Sequence, residues 1–320
     1  MARDQAVRKK PRIILLGNPN VGKSVIFGHL TGHYVTVSNY PGTTVEVTRG
    51  EADLDHKPFE ILDTPGVNNL IPLSEEERVT RDILLKEDYQ LILQVADAKN
   101  LRRSLLLTLQ LAEMGIPFLL DLNLMDEAQE RGVQIDVQRL SEILGIGVVP
   151  TVATQKKGLE RLIRQIGEAR PSSFHFPYTS ALERGIQGME PHLPETRLSK
   201  RSLALMVLAG DLTLQKWLQR RISPQGMAAL EQIRKETASR CSQPLNYLID
   251  QERLQETKRI LEEVWRVREG GIRRLATSLE RFSVHPIAGL PLLLLLLILA
   301  YLFVGVFGAQ ICVDFLSKVA

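Results

Sequence analysis

The stretch Gly17-Asn-Pro-Asn-Val-Gly-Lys-Ser24 decides the fold class of this chain. It matches the phosphate-binding pattern G-x-x-x-x-G-K-[ST], and it lies between the apolar run Ile13-Ile-Leu-Leu16 and the helix-like run Val25-Ile-Phe-Gly-His-Leu30. Its two glycines allow successive backbone N–H groups to turn inward around a phosphate at a helix N-terminus. The alternative is a glycine turn with an incidental lysine, and the flanking strand and helix argue against it.

Length and composition set the broad class of the chain. Its 320 residues predict about two domains, and 44% hydrophobic with 24% charged residues is typical of globular protein. The two cysteines, Cys241 and Cys312, are far apart, which argues against a disulfide scaffold or a cysteine zinc site. The net charge of +3 is too small to imply nucleic-acid binding by itself. The basic N-terminus, Met1 to Arg12, is interpreted as a solvated arm and not as a signal peptide.

The residues after the phosphate loop predict metal and γ-phosphate contacts. Lys23 is expected to reach the outer phosphates, and the Ser24 hydroxyl is expected to bind Mg²⁺. The polar segment 31–45 is typical of a long loop, and it lies where a P-loop GTPase has its first switch. Thr44 in that loop is predicted to bind Mg²⁺ and sense the γ-phosphate. A plain connection with Thr44 on a strand edge is the alternative.

A second phosphate-sensing motif, Asp63-Thr-Pro-Gly66, follows a predicted strand at Phe59-Glu-Ile-Leu62. A carboxylate at the end of a buried strand can hold the Mg²⁺ shell, and the Gly66 N–H can meet the γ-phosphate. Val67 stands where Ras-type enzymes carry a water-orienting glutamine, so slow intrinsic turnover is expected. Ser74-Glu-Glu-Glu-Arg78 predicts the end of a second switch and a helix start, and a metal site at these glutamates is the alternative.

Two apolar runs, Tyr89 to Ala96 and Ile116 to Leu122, flank the helical stretch Leu101 to Met114, which predicts a parallel sheet wrapped by helices. The second run ends in Asn123-Leu-Met-Asp126, the N-x-x-D part of a guanine-recognition motif. Asp126 can accept hydrogen bonds from the ring N–H and the exocyclic amine of guanine, a pair that adenine lacks. Leu124 replaces the usual lysine, so base stacking is less well supported than guanine selection.

A sixth strand at Val148 to Val152 is expected to lead into Ala153-Thr154, where a backbone N–H can meet the guanine O6. The predicted nucleotide site thus draws on five separate stretches of the chain. It comprises Gly17, Asn18, Pro19, Asn20, Val21, Gly22, Lys23, Ser24, Thr43, Thr44, Asp63, Thr64, Pro65, Gly66, Asn123, Leu124, Met125, Asp126, Ala153 and Thr154.

Taken together, these motifs resemble the cytoplasmic part of the bacterial ferrous-iron transporter B family, FeoB. The matching stretches are Gly17 to Ser24, Pro41-Gly-Thr-Thr-Val-Glu46, Asp63 to Gly66, Ser74 to Asp82, Asn123-Leu-Met-Asp-Glu127, Val149-Pro-Thr-Val-Ala-Thr154, His285-Pro-Ile-Ala-Gly-Leu-Pro291 and Phe303-Val-Gly-Val-Phe-Gly308. The combination covers nearly the whole chain and is more specific than any single motif.

The resemblance implies a K⁺-stimulated GTPase that binds GTP or GDP with Mg²⁺, in which Asn20 coordinates K⁺ and Asn20, Lys23, Thr44 and Gly66 serve catalysis. Backbone oxygens around Ser38-Asn39-Tyr40 would hold the same ion. It also implies Fe²⁺ as the transported ion, small accessory Feo proteins and a homo-oligomer as partners, and no nucleic acid. Relatives often have tryptophan at the Tyr40 position, and Thr44 is chosen over Thr43 from the T-V-E register.

The second half of the chain predicts helices and one membrane span. Apolar patterns at Leu203 to Leu208, at Ile222 to Arg240 with Ser223-Pro224 as helix start, and at Leu254, Leu261, Val264 and Trp265 indicate a small helical bundle. The resemblance implies that this bundle influences nucleotide affinity and couples the GTPase to the membrane, and a rigid spacer is the alternative. The 32 residues between Arg281 and Asp314 lack Asp, Glu, Lys and Arg, which predicts a transmembrane helix.

The charges that flank this span place the N-terminal domains in the cytoplasm, since Arg273, Arg274 and Arg281 precede it and only Lys318 follows. His285 and Cys312 border it and are interpreted as packing or interface residues. His29 and His33, which flank the switch, are interpreted as structural or surface residues. The predicted division is 1–170 for an α/β P-loop GTPase domain, 171–194 for a linker, 195–275 for an all-α domain, 276–285 for a juxtamembrane linker, 286–313 for the span and 314–320 for a truncated continuation.

The sequence therefore predicts a GTPase tethered to the bacterial inner membrane that drives or gates Fe²⁺ uptake. One helix cannot enclose a polar path through a bilayer, so transport requires further membrane segments, removed by truncation or encoded as a separate chain. Two alternatives stay open. One is a membrane-anchored regulatory switch, and the other is an assembly GTPase that acts on RNA, although no basic aromatic patch is evident.

Overall fold

The computed structural model of the chain describes residues 10–31, 35–267 and 289–305. The chain divides into two compact units, of which the first ends at Arg266 and the second begins at Val267. The nucleotide-binding motifs all belong to the first unit, so that unit positions the candidate site.

The first unit contains ten described strands. They are β1 Arg12–Gly17, β2 Val35–Asn39, β3 Glu46–Leu54, β4 Lys57–Asp63, β5 Leu91–Asp97, β6 Pro117–Asn123, β7 Val133–Ile135, β8 Val148–Pro150, β9 Arg170–Pro171 and β10 Trp265–Val267. The main sheet has the order β2-β3-β4-β1-β5-β6-β8, and β9 pairs with β6. Strands β4, β1, β5, β6 and β8 run parallel, whereas β2, β3 and β9 pair antiparallel. The sheet is therefore mixed.

The central strand β1 is buried on both faces, because Ile13, Ile14, Leu15 and Leu16 are each 0% exposed. A continuous apolar run is what a parallel strand covered by helices on both sides requires. Ile14 and Leu16 contribute to one hydrophobic cluster, and Ile13 and Leu15 contribute to the other. The strand thus ends at Gly17 in a rigid position between two layers of helices.

The described part of the first unit also contains eleven helices. They are α1 Lys23–Leu30, α2 Glu75–Lys86, α3 Leu101–Met114, α4 Met125–Glu130, α5 Val137–Leu144, α6 Leu159–Ile166, α7 Ser180–Met189, α8 Lys200–Ala209, α9 Leu212–Leu218, α10 Pro224–Ser239 and α11 Leu245–Val264. Short 3₁₀ turns occupy Ala98–Asn100, Ala153–Gln155 and Glu190–His192.

The helices α7 to α11 form the predicted helical bundle. Helix α10 begins as expected, since Ser223 is its N-cap and Pro224 its first residue. The bundle shares one hydrophobic cluster with the sheet side that carries α3, and this cluster includes Leu105, Leu109 and Leu203. The nucleotide-binding motifs and the helical bundle are therefore packed together within one unit.

Three expectations about local structure need correction or refinement. The segment 31–45 was expected to lack an element, but Val35–Asn39 forms the edge strand β2, antiparallel to β3. Trp265 was placed on a helical face, but α11 ends at Val264 and Trp265 begins β10. The segment 171–194, expected to be a linker, contains α7, where Gly185 lets the helix approach Thr237: a Cβ there would lie 2.6 Å from the Thr237 hydroxyl.

The second unit contributes one described helix, α12 Gly289–Tyr301, which is apolar along its length. Within residues 10–31, 35–267 and 289–305, no helix combines the length and hydropathy needed to cross a bilayer. The predicted span 286–313 lies only partly within these ranges. His33, Arg273, Arg274, Arg281, His285, Cys312 and Lys318 lie outside the described residues.

Candidate functional site

The phosphate loop has the backbone geometry of an anion cradle. Gly22 is the N-cap of α1 with φ 88°, and Asn20 has φ 64°, so both lie in the left-handed region. Alternation of left- and right-handed residues turns successive N–H groups toward one point. The loop surrounds a cavity of about 450 Å³ lined by Asn18, Pro19, Asn20, Gly22, Lys23, Ser24, Val25 and Gly66.

Two glycines of the loop allow close approach to neighbouring strands. A Cβ on Gly17 would lie 2.4 Å from the Val95 carbonyl oxygen, and a Cβ on Gly22 would lie 2.3 Å from Asn123 Nδ2. No side chain larger than hydrogen fits at either position without moving backbone or a buried amide. The loop is thereby held directly against β5 and against the first residue of the guanine motif.

Lys23 links the phosphate loop to the end of β4. Its ammonium donates to Asp63 Oδ1 and to the Thr64 carbonyl oxygen. Burial raises the pKa of the Asp63 carboxyl, and the neighbouring Lys23 opposes that shift. The Asp63 carboxylate and the Ser24 hydroxyl offer the oxygen ligands that Mg²⁺ prefers, so this donor set fits that ion.

The start of the second switch contacts the phosphate loop at Gly66, where a Cβ would lie 2.9 Å from Pro19 Cα. Asn18 Nδ2 donates to the Val67 carbonyl oxygen over 3.1 Å, and Val67 N donates to the Gly17 carbonyl oxygen over 3.0 Å. The Val67 side chain is 1% exposed and packs in the core. It therefore does not face the phosphate cavity, which agrees with the absence of a water-orienting side chain at this position.

The remainder of the second switch is held by Glu77, which lies in the first turn of α2. Its Oε1 accepts from Asn69 N over 3.2 Å, and its Oε2 accepts from Leu73 N over 2.9 Å. Ser74 caps the same helix by accepting from Glu77 N. Glu77 thus serves to order the backbone before α2. No group of three or more His, Cys, Asp or Glu residues suited to a metal ion occurs in the described ranges.

The segment predicted to be the first switch forms a hairpin of β2 and β3 whose tip spans residues 40–45. Tyr40 N donates to the Val45 carbonyl oxygen over 2.8 Å, and the Thr43 hydroxyl donates to the Tyr40 carbonyl oxygen over 2.9 Å. Thr44 is exposed, and its side chain has no hydrogen-bond partner among the described residues. Thr43 is thus committed to the turn, and Thr44 does not line the phosphate cavity in this conformation.

Asn123 holds the guanine motif against the phosphate loop. Its Nδ2 donates to the Val21 carbonyl oxygen over 3.0 Å, and its Oδ1 accepts from Ala153 N over 3.0 Å. The side chain is buried, so both contacts are protected from water. One amide therefore joins three predicted parts of the nucleotide site.

Asp126, predicted to bind the guanine base, lies in the first turn of α4. Its Oδ2 accepts from Gln155 Nε2 over 3.3 Å, whereas its Oδ1 is buried without a hydrogen-bond partner in the described part of the chain. Leu124 has φ 63°, a left-handed conformation that turns the chain from β6 into α4. Met125 and Asp126 line a cavity of about 670 Å³, together with Val152 and Lys157. Thr154 lies in the 3₁₀ turn Ala153–Gln155 next to these residues.

Sequence reasoning missed two polar residues directly behind the guanine motif. Asp121 is 0% exposed in the middle of β6, and Thr151 is 1% exposed just after β8. The Thr151 hydroxyl lies 2.5 Å from Asp121 Oδ1 and 3.2 Å from Asn123 Oδ1. The available signal was a lone carboxylate within the apolar run Ile116 to Leu122. His29, interpreted as structural, contacts the Ala153 carbonyl oxygen at 2.9 Å.

A mixed sheet covered by helices, with a phosphate loop after its central strand and an N-x-x-D motif at a neighbouring strand end, defines the GTPase class of P-loop proteins. Family comparison agrees: the model described as "Ferrous iron transport protein B" matches residues 11–166, and that of the "FeoB cytosolic helical domain" matches residues 178–266. The chain belongs to the FeoB family.

Curated relatives share the FeoB name. The Fe(2+) transport protein A/Fe(2+) transporter FeoB fusion protein of Porphyromonas gingivalis is 32% identical over 309 residues, which is 91% of this chain and 36% of that protein. The Fe(2+) transporter FeoB of Salmonella choleraesuis is 38% identical over 215 residues, covering 64% of this chain and 28% of that protein. The chain thus spans well under half the length of these relatives.

Solved structures of FeoB cytosolic parts have the same architecture. A GDP-bound mutant of the S. thermophilus FeoB G-domain superposes with a TM-score of 0.72 at 31% identity, covering 80% of this chain and 100% of that one. The cytosolic domain of T. maritima FeoB in its GMPPNP form gives a TM-score of 0.68 at 30% identity, with 80% and 99% covered.

Proposed function

We propose that this chain is the GTP-binding and GTP-hydrolysing part of a ferrous-iron transporter. GTP is cleaved to GDP and phosphate, and the change in the second switch drives or gates Fe²⁺ movement through further membrane segments. Support comes from the FeoB family, from the structures of GDP-bound relatives, and from a site in this chain that joins a phosphate cradle to a guanine motif.

The observation that carries this proposal is the pair of hydrogen bonds made by Asn123. By reaching Val21 on one side and Ala153 on the other, it holds the base-binding loops at a defined distance from the phosphate loop. A guanine nucleotide requires a site that binds its base and its phosphates at the same time. The Oδ1 of Asp126, which has no hydrogen-bond partner among the residues that the structure describes, supplies an acceptor for the guanine ring N–H.

The nucleotide-binding roles follow from this arrangement. Amides between Gly17 and Ser24 receive the phosphates, and Lys23 exchanges its contacts with Asp63 and Thr64 for the outer phosphates. Gly66 presents its N–H to the γ-phosphate, so cleavage releases the second switch. The remaining predicted contacts are Asn18, Pro19, Pro65, Leu124, Met125 and Thr154.

Two cations belong to the proposed site. Mg²⁺, when bound, neutralises phosphate charge, and Ser24, Thr44 and Asp63 are the residues that hold it. K⁺, when bound, supplies the positive charge that an arginine finger supplies elsewhere. Asn20 is suited to hold K⁺, since it is exposed in the loop and lines the phosphate cavity. Thr44 must move to its metal role from the hairpin tip, which fits an element that switches.

The rest of the chain is assigned by the same proposal. Residues 1–170 form the GTPase domain, and the chain from 171 onward leads into a helical domain that includes α7 and extends to residue 275. Residues 276–285 form a juxtamembrane segment, 286–313 span the bacterial inner membrane, and 314–320 continue beyond it. The N-terminal domains face the cytoplasm. The partners are Fe²⁺, the bilayer, the remaining membrane part of the transporter, small accessory Feo proteins and a second copy of the chain.

The test is GTP hydrolysis by the full chain with Mg²⁺, measured in K⁺ and in Na⁺, for the native protein and for Asn20→Ala. We expect slow hydrolysis that K⁺ stimulates, and loss of that preference in the variant. An unchanged K⁺ preference in Asn20→Ala would refute the ion assignment alone. Absence of hydrolysis under every condition would refute the GTPase itself.

A further inference from the structure

We propose that Asp121 is a positioning residue for guanine recognition, acting on Asn123 through the Thr151 hydroxyl, so that its protonation strengthens guanine-nucleotide binding. This inference deepens the proposed function and rests on it. It concerns a carboxyl group that the nucleotide itself does not touch.

The first step is a competition for one proton. The Thr151 hydroxyl has a single hydrogen, and two acceptors lie within reach: Asp121 Oδ1 at 2.5 Å and Asn123 Oδ1 at 3.2 Å. An ionised carboxylate is the stronger acceptor, so with Asp121 charged the hydroxyl donates to it. Asn123 Oδ1 then keeps only the N–H of Ala153.

The second step is the reversal of this chain of hydrogen bonds. A protonated Asp121 carboxyl can donate to Thr151 Oγ, and the Thr151 hydroxyl is then released to donate to Asn123 Oδ1. Asn123 now accepts from both Thr151 and Ala153, with its Nδ2 still bound to the Val21 carbonyl oxygen. With Asp121 protonated, every hydrogen bond from Asp121 through Thr151 to Asn123 joins a donor to an acceptor. Asn123 is then held more firmly, because its Oδ1 accepts two hydrogen bonds.

The environment of Asp121 favours the neutral form. The residue is 0% exposed, and its Oδ2 has no hydrogen-bond partner within the described residues. Burial raises the pKa of the Asp121 carboxyl to about 7, and only the Thr151 hydrogen bond opposes this shift. The Asp121 carboxyl thus changes its charge near neutral pH.

Other ionisable groups lie on the elements around β6. Within the described residues, α1 carries Lys23 and His29, α6 carries Glu160, Arg161 and Arg164, β5 ends in Asp97, β9 carries Arg170, and β8 carries none. None of these side chains contributes to the shift in the pKa of Asp121. His29 contacts the carbonyl oxygen of Ala153, the residue whose N–H donates to Asn123 Oδ1, at 2.9 Å, so it requires its own control.

The experiment measures the dissociation constant of GDP for the full chain by calorimetry from about pH 5.5 to 8.5. Because the phosphates of GDP also titrate, the readout is the ratio of each variant's dissociation constant to that of the native protein. Asp121→Asn cannot ionise and retains a donor for Thr151 Oγ. We expect it to match the native protein at low pH and to bind about three- to tenfold tighter at high pH.

Two further variants test the Thr151 link. Thr151→Val removes the hydroxyl, and it is expected to weaken GDP binding at low pH. The ratio of its dissociation constant to that of Asp121→Asn is expected to stay constant across the pH range. Thr151→Ser restores the hydroxyl and is expected to recover the native profile. The controls are Asp53→Asn, which neutralises an exposed carboxylate on β3, and His29→Gln. Both keep Asp121, so the pH-dependent difference between their dissociation constants and that of Asp121→Asn is expected to persist.

The outcomes are distinguishable from failure of the proposed function. If the native chain binds no GDP, the proposed function fails. If it binds GDP, but Asp121→Asn and the native protein keep a constant ratio at all pH values, this inference is overturned and the proposed function stands. Thermal unfolding of each variant shows that it is folded, and a folded Thr151→Val with a native profile also overturns the inference.

Discussion

Arg81 of helix α2 forms a buried ion pair with Asp211 of the helical bundle, with 2.9 Å between Nη1 and Oδ2 and side-chain exposures of 1% and 2%. Asp211 also caps α9 by accepting from Thr213 N and Leu214 N. The predicted second switch leads directly into α2, so under the proposed function this pair would join the γ-phosphate-binding segment to the helical bundle. A rearranged switch would have to carry the bundle with it or break a buried charge pair.

We expect Arg81→Met to lower the free energy of unfolding by about 3–5 kcal/mol, because it leaves the Asp211 carboxylate buried without its cation. Urea unfolding of the full chain measures this change. Arg78→Met on the same helix is the matched control, since Arg78 pairs with Glu75 at the surface and its loss should cost about 0–1 kcal/mol. Equal losses in the two variants would contradict a special role for the Arg81 pair.

The clamp made by Glu77, that is, the hydrogen bonds that its carboxylate accepts from backbone amides before α2, predicts local changes in hydrogen exchange. Glu77→Gln replaces a carboxylate that accepts from Asn69 N and Leu73 N, so these amides should exchange about tenfold faster. The neighbouring Glu76 is exposed, and Glu76→Gln should leave both amides unchanged. Similar acceleration in both variants would mean that the charge of the helix start, and not the clamp, orders the switch.

Gly66 is predicted to be irreplaceable for hydrolysis. In Gly66→Ala the new Cβ would meet Pro19 Cα at 2.9 Å, which pushes the second switch away from the phosphate loop. We expect GTP hydrolysis to fall by about 100-fold while GDP affinity changes little, since misplacement affects the reacting geometry most. Gly28→Ala is the control, because the added Cβ would meet no described atom within 4 Å other than its chain neighbours and the backbone of its own helix. This variant should hydrolyse GTP at the native rate.

The buried carboxyl of Asp121 also predicts a pH dependence of stability. Its pKa is about 7 in the folded protein against an ordinary value of 3.8, so between those values the folded chain binds more protons than the unfolded one. The free energy of unfolding should therefore fall as pH rises through this window, by up to about 4 kcal/mol. Thermal unfolding measured against pH should show that Asp121→Asn lacks this fall. If the stability of the variant and of the native protein changed with pH in parallel, the raised pKa of Asp121 would be contradicted.

Several elements could be predicted from the sequence because their signals are local. Helix α3 has the predicted bounds Leu101–Met114, and α10 begins at the predicted Ser223 cap. The phosphate loop and the N-x-x-D motif lie at strand ends as expected, because glycine spacing and apolar runs determine those positions.

Other features depend on contacts between distant segments and left little trace in the sequence. Strand β2 is exposed along its length, and its Val35-Thr-Val37 alternation is too short to stand out within a polar segment that also contains Gly and Pro. Helix α7 has a glycine at 185 where it packs closely on Thr237, and the glycines, prolines and serines of this segment resemble a linker. The Arg81–Asp211 pair joins residues that are far apart in the chain. The hydrogen bonds from Thr151 to Asp121 and Asn123 reach side chains that are hidden in a buried strand.

The central claim is guanine selection, and it is tested most directly by the affinities of GTP and ATP for the full chain with Mg²⁺, compared with Asp126→Asn. We predict that GTP binds at least about 100-fold more tightly than ATP, because an unpaired Asp126 carboxylate rejects adenine. In Asp126→Asn, which offers a donor in place of an acceptor, binding should shift toward xanthosine triphosphate. Equal affinities for GTP and ATP, or a preference for ATP, would contradict guanine selection and the site built on it.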